Sequence, residues 1–240
     1  MTVDQRVPSV LVFDVNETLL DLDTLKPYFA RLFGDESMQR AWFGELVTYS
    51  MAATLAGYYT DFFTLGRAVL DMLADIRGID VTDADREELV DAMQTMPAHP
   101  DVAPGLQRLL DLGYRLATLT NSPPRQQGPS PLETAGLGAY FERRLSVDAL
   151  RVFKPCPELY RDAARQLGVG VSDCMMVAAH MWDLIGARAA GFSAALITRP
   201  GNAPLPAPGL PLPTLIASDI EQLAIELDNR RKSSNAPDAV

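Results

Sequence analysis

Val10-Leu11-Val12-Phe13-Asp14-Val15-Asn16-Glu17-Thr18 is the stretch on which the fold turns. Its first four residues are apolar and largely β-branched, and the run stops abruptly at a carboxylate. An apolar run of that length, with no polar alternation, reads as a strand covered on both faces, as strands of a parallel sheet are. Comparable runs recur at 116–119, 175–177 and 194–197. Helical segments separate them: 105–112 stops at Gly113, 157–167 at Gly168 and 183–190 at Gly191. A glycine in that place is a common helix terminator. Strands alternating with helices predict an α/β fold with a Rossmann-like parallel-sheet core.

Residues 24–98 break the alternation. Phe62, Leu65, Val69, Met72 and Ile76 repeat at helical spacing and predict one apolar helix face. Thr82 and Asp85 form a capping pair ahead of another helix, whose apolar side carries Leu89, Met93 and Met96. With no strand expected there, 24–98 reads as a helical cap inserted after the first strand. The core is then 1–23 together with 99–228. His99 reads as a hinge residue at the return to the core, and Tyr58 and Tyr59 as cap packing. Pro200–Pro213 contains six prolines and predicts an irregular loop. Ser122–Pro131 contains four, where the alternation would otherwise call for a helix. The polar residues 229–240 read as a disordered tail.

Composition narrows the partners. In 240 residues, 48% are hydrophobic and 22% charged, as in a globular chain. Acidic residues outnumber basic ones 31 to 21, for a net charge of -10, which disfavours a nucleic-acid partner. Two cysteines and two histidines argue against a disulfide framework or a zinc site. No run approaches the roughly 18 apolar residues of a membrane span, and the first residues lack the apolar core of a signal peptide. A cytoplasmic protein with no membrane partner is expected.

In an open parallel sheet, ligands bind beyond the carboxyl ends of the strands. The residues there are Asp14, Val15, Asn16 and Thr18 after the first strand and Thr120, Asn121 and Ser122 after the second. His180 and Asp183 follow 175–177, and Lys154 lies in the loop before the 157–167 helix. In order and spacing this set resembles the haloacid dehalogenase superfamily of hydrolases, from Val10 to about Ile197. Asp14 with Thr18 matches its nucleophile motif, Thr120 its second motif, Lys154 its third and Asp183 its fourth.

The departures choose a branch. Phosphatases of this superfamily place a second Asp where this chain has Asn16, and an amide cannot act as a general acid. They also use an acidic pair for Mg²⁺, and Ala179 stands at one of those positions. Only Asp14 and Asp183 remain as hard oxygen ligands, too few for that site. Attack on a saturated carbon survives these losses, because a carboxylate can displace halide without a general acid. Asp14–Asp21, Ser146-Val147-Asp148, Phe153-Lys154-Pro155 and Tyr160 look like the (S)-2-haloacid dehalogenase branch.

The resemblance implies hydrolysis of short 2-haloalkanoic acids through an aspartyl ester, without metal or cofactor. The partner is the small haloacid itself, and a homodimer is compatible. Asp14, Thr18, Lys154 and Asp183 are the expected catalytic residues. Asp14 would attack, already ionised at neutral pH given an ordinary Asp pKa of about 3.9. Lys154 would hold it ionised; at ~4 Å and an effective dielectric of roughly 20 such a pair gains about 4 kcal/mol before desolvation. Asp183, helped by His180, would position or activate water, and Thr18 and Thr120 would orient carboxylates. Substrate contacts are expected from Val15, Asn16, Phe43, Thr120, Asn121, Tyr160 and His180, with Tyr160 also bonded to Lys154 or Asp183.

Phe43 follows Trp42 where members of this branch carry an arginine for the halide, so Trp42, Phe43 and Tyr49 suggest an apolar wall. Ala178 and His180 likewise replace the usual Ser and Asn of the fourth motif. Two alternatives stay open: a Mg²⁺-dependent phosphatase of the same superfamily, and a catalytically weak binder of small carboxylates.

Overall fold

A computed structural model describes residues 7–125 and 127–234. Six strands form one sheet: β1 (Val10–Phe13), β2 (Arg115–Thr120), β3 (Arg143–Ser146), β4 (Cys174–Ala178), β5 (Ser193–Ile197) and β6 (Leu215–Ala217). Their order is β3-β2-β1-β4-β5-β6, and every neighbouring pair is parallel. β1 lies between β2 and β4, at the point where the winding reverses and a crevice opens at the strand ends.

Between β1 and β2 the chain forms α1 (Lys26–Phe33), α2 (Met38–Leu55), α3 (Phe62–Arg77), α4 (Asp83–Gln94) and α5 (Val102–Asp111). The single turn α6 (Pro131–Thr134) precedes β3, α7 (Pro157–Leu167) precedes β4, α8 (Met181–Ala190) precedes β5, and α9 (Ile220–Ser234) follows β6. The four expected strands are all present, each within a residue of its expected limits. β1 and β4 are buried throughout, as a central strand sandwiched by helices must be. Among the described residues, no helix is long and apolar enough to cross a membrane.

The two ends of the inserted stretch meet. Leu20 and Ala98 form an antiparallel bridge, Asp21 N–H donates to the Pro97 carbonyl at 2.8 Å, and His99 N–H donates to the Leu19 carbonyl at 3.0 Å. Thr82 and Asp85 form the anticipated capping box on α4, and Leu89, Met93 and Met96 are buried.

Other expectations need correction. β3 was not anticipated because its residues, Arg143-Arg144-Leu145-Ser146, are mostly polar on an edge strand with only Leu145 buried. β6 is three residues long and follows directly on the proline-rich loop. The buried face of α3 is Phe62, Gly66, Val69, Leu70 and Ala74, rotated away from Ile76, which is 70% exposed. Gly66 sets that rotation: Trp42 Nε1 donates to its carbonyl at 2.8 Å, and a Cβ there would stand 3.2 Å from the indole. Tyr58 is exposed rather than packed. Residues 229–234, expected as disordered tail, continue α9, where Arg231 bonds to the Leu112 carbonyl; the rest of that tail lies outside the described residues.

Candidate active site

β1 ends at Asp14, whose backbone N–H donates to the Val177 carbonyl at 3.0 Å and so stays tied to the neighbouring strand β4. The chain then turns tightly: Leu19 and Leu20 N–H both reach back to the Val15 carbonyl. Glu17 takes a left-handed conformation, φ 66°, which is costly for a residue with a Cβ. Arg199 holds the turn from outside, bonding through Nε and Nη2 to the Thr18 carbonyl at 3.1 and 2.9 Å while pairing with Asp101.

Lys154 reaches this turn from the loop ahead of α7. Its Nζ donates to Asp14 Oδ1 at 3.0 Å and to Asp183 Oδ2 at 2.8 Å, and its side chain is wholly buried. Its backbone N–H is held by Asn121 Oδ1 at 3.1 Å. Asp183 lies in the first turn of α8, where the helix N-terminus favours negative charge. Gly186, one turn on, lets α8 settle against the Lys154 loop, because a Cβ there would meet the Pro155 carbonyl oxygen at 2.4 Å.

Thr18 Oγ1 donates to Asp14 Oδ2 at 2.8 Å and accepts from the Ala179 N–H at 2.9 Å. Tyr160 Oη donates to Asp183 Oδ1. Each of the four oxygens of Asp14 and Asp183 therefore accepts from a protein donor, and an ammonium sits between the two carboxylates. With Ala179 at one acidic position and the Lys154 ammonium between the two carboxylates that remain, this donor set does not fit the Mg²⁺ of a superfamily phosphatase.

Burial alone would raise the Asp14 carboxyl, but the Lys154 ammonium and then the His180 ring hold it far below the ordinary range. Lys154 is itself disfavoured by burial, yet Asp14 and Asp183 keep it charged with a raised pKa. Asp183 goes the other way: burial and the nearby Asp14 charge lift it, against Lys154 and Tyr160.

His180 provides the unexpected contact. Nε2 lies 2.6 Å from Glu17 Oε2, while Nδ1 is 3.6 Å from Asp14 Oδ2, too far for a hydrogen bond. Phe43 of α2 and Trp182 lie beside the ring, at centroid distances of 5.5 and 5.1 Å. Burial lowers its pKa, but Asp14 and Glu17 overcome this and push it up to about 9. Protonated His180 thus stabilises the fold fully below its ordinary 6.5 and ceases to do so as pH rises through about 9. Raising pH from about 7 to about 9.5 should cost roughly 2 kcal/mol through this group. Urea midpoints at the two pH values measure that loss, and His180→Gln should remove most of it.

Asp14, Thr18, Lys154, Asp183, Asn121, Tyr160 and His180 therefore converge, as expected of one site. Three expected roles need revision. Thr120 Oγ1 accepts from Ser122 N–H at 3.1 Å, shaping its own turn instead of orienting a carboxylate. Tyr160 is fully buried behind Asp183 and positions that carboxylate instead of meeting substrate. Trp42 is core, and Tyr49 is exposed. Asn16 Nδ2 donates to Ser122 Oγ at 3.3 Å. Val15, Asn16 and Thr120 line a cavity of about 340 Å³ whose walls do not include Asp14.

Glu17 was missed, since in the sequence it is only a spacer between Asp14 and Thr18. It also accepts from Arg40 Nη1 at 3.1 Å and Asn202 Nδ2 at 2.8 Å. Arg40 belongs to α2 and bonds the Gly201 carbonyl as well, at 2.6 Å, fastening the inserted helices to the loop after β5. Farther along, Thr54 and Tyr59 bond to Phe153 N–H at 2.9 Å and Asp148 at 2.6 Å.

Known proteins share this arrangement of chain. A family model described as haloacid dehalogenase-like hydrolase matches residues 8–191. (S)-2-haloacid dehalogenase 4A of Burkholderia cepacia is 31% identical over 195 residues, 80% of this chain and 84% of that protein. (S)-2-haloacid dehalogenase 1 of Pseudomonas sp. (strain CBS-3) is 32% identical over 191 residues, 78% and 83% of the two. A crystal structure of an L-2-haloacid dehalogenase superposes with a TM-score of 0.86 at 26% identity, covering 93% of this chain and 100% of that one. With the parallel core, the inserted helices and the Asp14–Lys154–Asp183 cluster already in place, the chain belongs to the haloacid dehalogenase-like hydrolases, in their (S)-2-haloacid dehalogenase branch.

Proposed function

We propose that this chain hydrolyses short 2-haloalkanoic acids to 2-hydroxy acids and halide, with Asp14 as nucleophile and an aspartyl ester as intermediate. The observation that carries the reading is a buried, strongly ionised Asp14 paired with Lys154, in a chain whose relatives are named (S)-2-haloacid dehalogenases.

In the first step an Asp14 oxygen bonds to the halogen-bearing carbon as the carbon–halogen bond breaks. Halide leaves with the bonding electron pair and needs no proton, which suits an amide at Asn16. Water then attacks Asp14 Cγ, and the tetrahedral species collapses to carboxylate and 2-hydroxy acid. Whichever oxygen carries the alkyl group, the other keeps a donor for the developing oxyanion: Thr18 on Oδ2 or Lys154 on Oδ1. With Oδ1 committed to the Lys154 backbone, Asn121 has its amide nitrogen to offer the substrate carboxylate or the halide. Phe43 and Trp182 supply apolar walls that favour short chains.

We also propose residues 24–98 as a lid over this end of the sheet. The paired linkers at Leu20 and Ala98 and the two anchor points of α2 support that role, and a covered site would exclude competing water. The reaction needs no cofactor and suits a cytoplasmic enzyme.

Halide release from chloroacetate and 2-chloropropionate tests the function. Turnover should persist after exhaustive dialysis against EDTA. Loss of turnover with EDTA and recovery with Mg²⁺, or Mg²⁺-dependent phosphate release without halide, would replace this reading with a phosphatase. Ligand-induced stabilisation without turnover would leave only a carboxylate binder.

A further inference from the structure

Where the alternation of strands and helices calls for a helix between β2 and β3, the chain carries Pro123, Pro124, Pro129 and Pro131. Proline removes an N–H and its ring clashes with the turn before it, so helix is confined to the single turn α6. That turn starts on Pro131 and is capped by Ser130 and Glu133. One turn leaves part of the sheet face uncovered. Thr118 and Thr120 of β2 pair with Arg144 and Ser146 of β3, and these four form one wall of the cavity of about 340 Å³. That volume lies at the lower end of the range for small-ligand sites.

The wall on the sheet holds an unmet hydroxyl. Thr118 is 1% exposed, and its Oγ1 has no hydrogen-bond partner. Valine has the same shape and would fill the position without stranding a polar atom, so this hydroxyl costs the fold something and gains it nothing. A second unmet group stands at the mouth. Arg125 is exposed; among the described residues its hydrogen bond goes to the Pro129 carbonyl, at 3.2 Å, and no carboxylate pairs with it. Arg144 differs, because Glu133 at 2.8 Å neutralises it. Between these groups the sides are apolar, supplied by Val15, Pro124, Leu132 and Leu145.

We propose that this cavity binds a small organic carboxylate with a compact apolar body, its carboxylate on Arg125 and a hydroxyl or similar polar group on Thr118. A guanidinium offers paired donors that match a carboxylate. The apolar sides take the body, and the Thr118 hydroxyl, able to donate or accept, selects a ligand that is polar at its far end. An inorganic anion would leave the apolar sides unfilled, and a plain hydrocarbon would leave Arg125 and Thr118 unpaired. The net charge of -10 repels anions from the molecule as a whole, so an arginine without a carboxylate partner is a local exception. The cavity adjoins the turn after β1 through Val15 and Asn16 but excludes Asp14, so its ligand is not a substrate in reacting position.

4-Hydroxybenzoate carries the required parts, while benzoate lacks the hydroxyl and 4-hydroxybenzamide lacks the charge. Calorimetric titration of the wild type should give a Kd for 4-hydroxybenzoate about tenfold below that for benzoate, as one hydrogen bond to an otherwise unpaired group provides. Thr118→Val should erase that difference, with benzoate binding unchanged and the melting temperature no lower. Arg125→Gln should weaken both carboxylates about fivefold, as loss of an exposed ion pair does, while 4-hydroxybenzamide binds as before. Added salt should weaken the carboxylates in the wild type and have little effect in Arg125→Gln.

Amide NMR shifts locate the bound carboxylate, and shifts centred on Thr118, Leu132 and Leu145 are the expected result. Shifts centred on Lys154 and His180 instead would put it in the candidate active site and overturn the proposal. So would a Thr118→Val protein that keeps the full preference for the hydroxyl, or an Arg125→Gln protein that binds both carboxylates as tightly as the wild type. A wild type that binds neither carboxylate at millimolar concentration would mean that the cavity holds water alone, and would overturn it as well. No turnover enters these measurements, so a failure of halide release would leave this site standing, and loss of this site would leave the dehalogenation standing.

Discussion

Asp14→Asn should release no measurable halide, a loss on the order of 10⁴-fold or more, as when a covalent nucleophile is removed. The amide is neutral and a poor nucleophile, yet it keeps the shape of the carboxylate: its oxygen can accept from Lys154 where Oδ1 now lies at 3.0 Å, and its NH2 can donate to the Thr18 hydroxyl, now 2.8 Å from Oδ2. The fold should survive, because β1 is buried throughout and its end is fixed by the backbone bond to Val177. The electrostatic consequence is also measurable. Asp14 is one of two anions that raise the His180 pKa to about 9, so that value should fall in the variant. NMR titration of the imidazole would follow it. A variant with substantial turnover would remove Asp14 from the chemistry.

Lys154→Met should slow turnover at least about a hundredfold, since ~3 kcal/mol of transition-state stabilisation corresponds to that factor. It should also destabilise the protein by roughly 3–5 kcal/mol, because Asp14 and Asp183 would be left as buried carboxylates without their shared cation. Burial then acts unopposed by Lys154 and raises both groups, so the acid side of the pH–rate profile should move toward neutrality. Near-normal rates with an unmoved acid limb would return Lys154 to a structural role. A chemical-denaturation curve separates the stability loss from the catalytic one.

Much of this architecture is legible in the sequence because it rests on strong, local patterns. Val10–Phe13 and the runs around 116, 175 and 194 are apolar on both faces, which central parallel strands demand. Asp14, Thr18 and Asp183 stand just beyond strand ends and Lys154 in the loop before α7. The resemblance of that order to the superfamily's motifs marks them, and the three carboxylate and ammonium groups among them lie within 3.0 Å of a partner. The elements that escaped carry little apolar signal. β3 is an edge strand beginning with two arginines, and β6 is too short to show a period. The rotated face of α3 depends on a missing side chain, Gly66, against the Trp42 indole. Glu17 escaped for a different reason. Nothing local marks a glutamate as buried; its environment comes from Arg40, His180 and Asn202, which lie 23, 163 and 185 residues away.

The covalent route through Asp14 is tested most directly by a single turnover in ¹⁸O-enriched water with enzyme in excess over 2-chloropropionate. Attack of water on Cγ places the solvent oxygen in the Asp14 carboxylate, while the hydroxy acid takes its new oxygen from the unlabelled side chain. Label is expected on the peptide containing Asp14, with unlabelled 2-hydroxypropionate in that first turnover. Label found in the product, with none on Asp14, would mean that water displaces the halide directly and would contradict the ester mechanism.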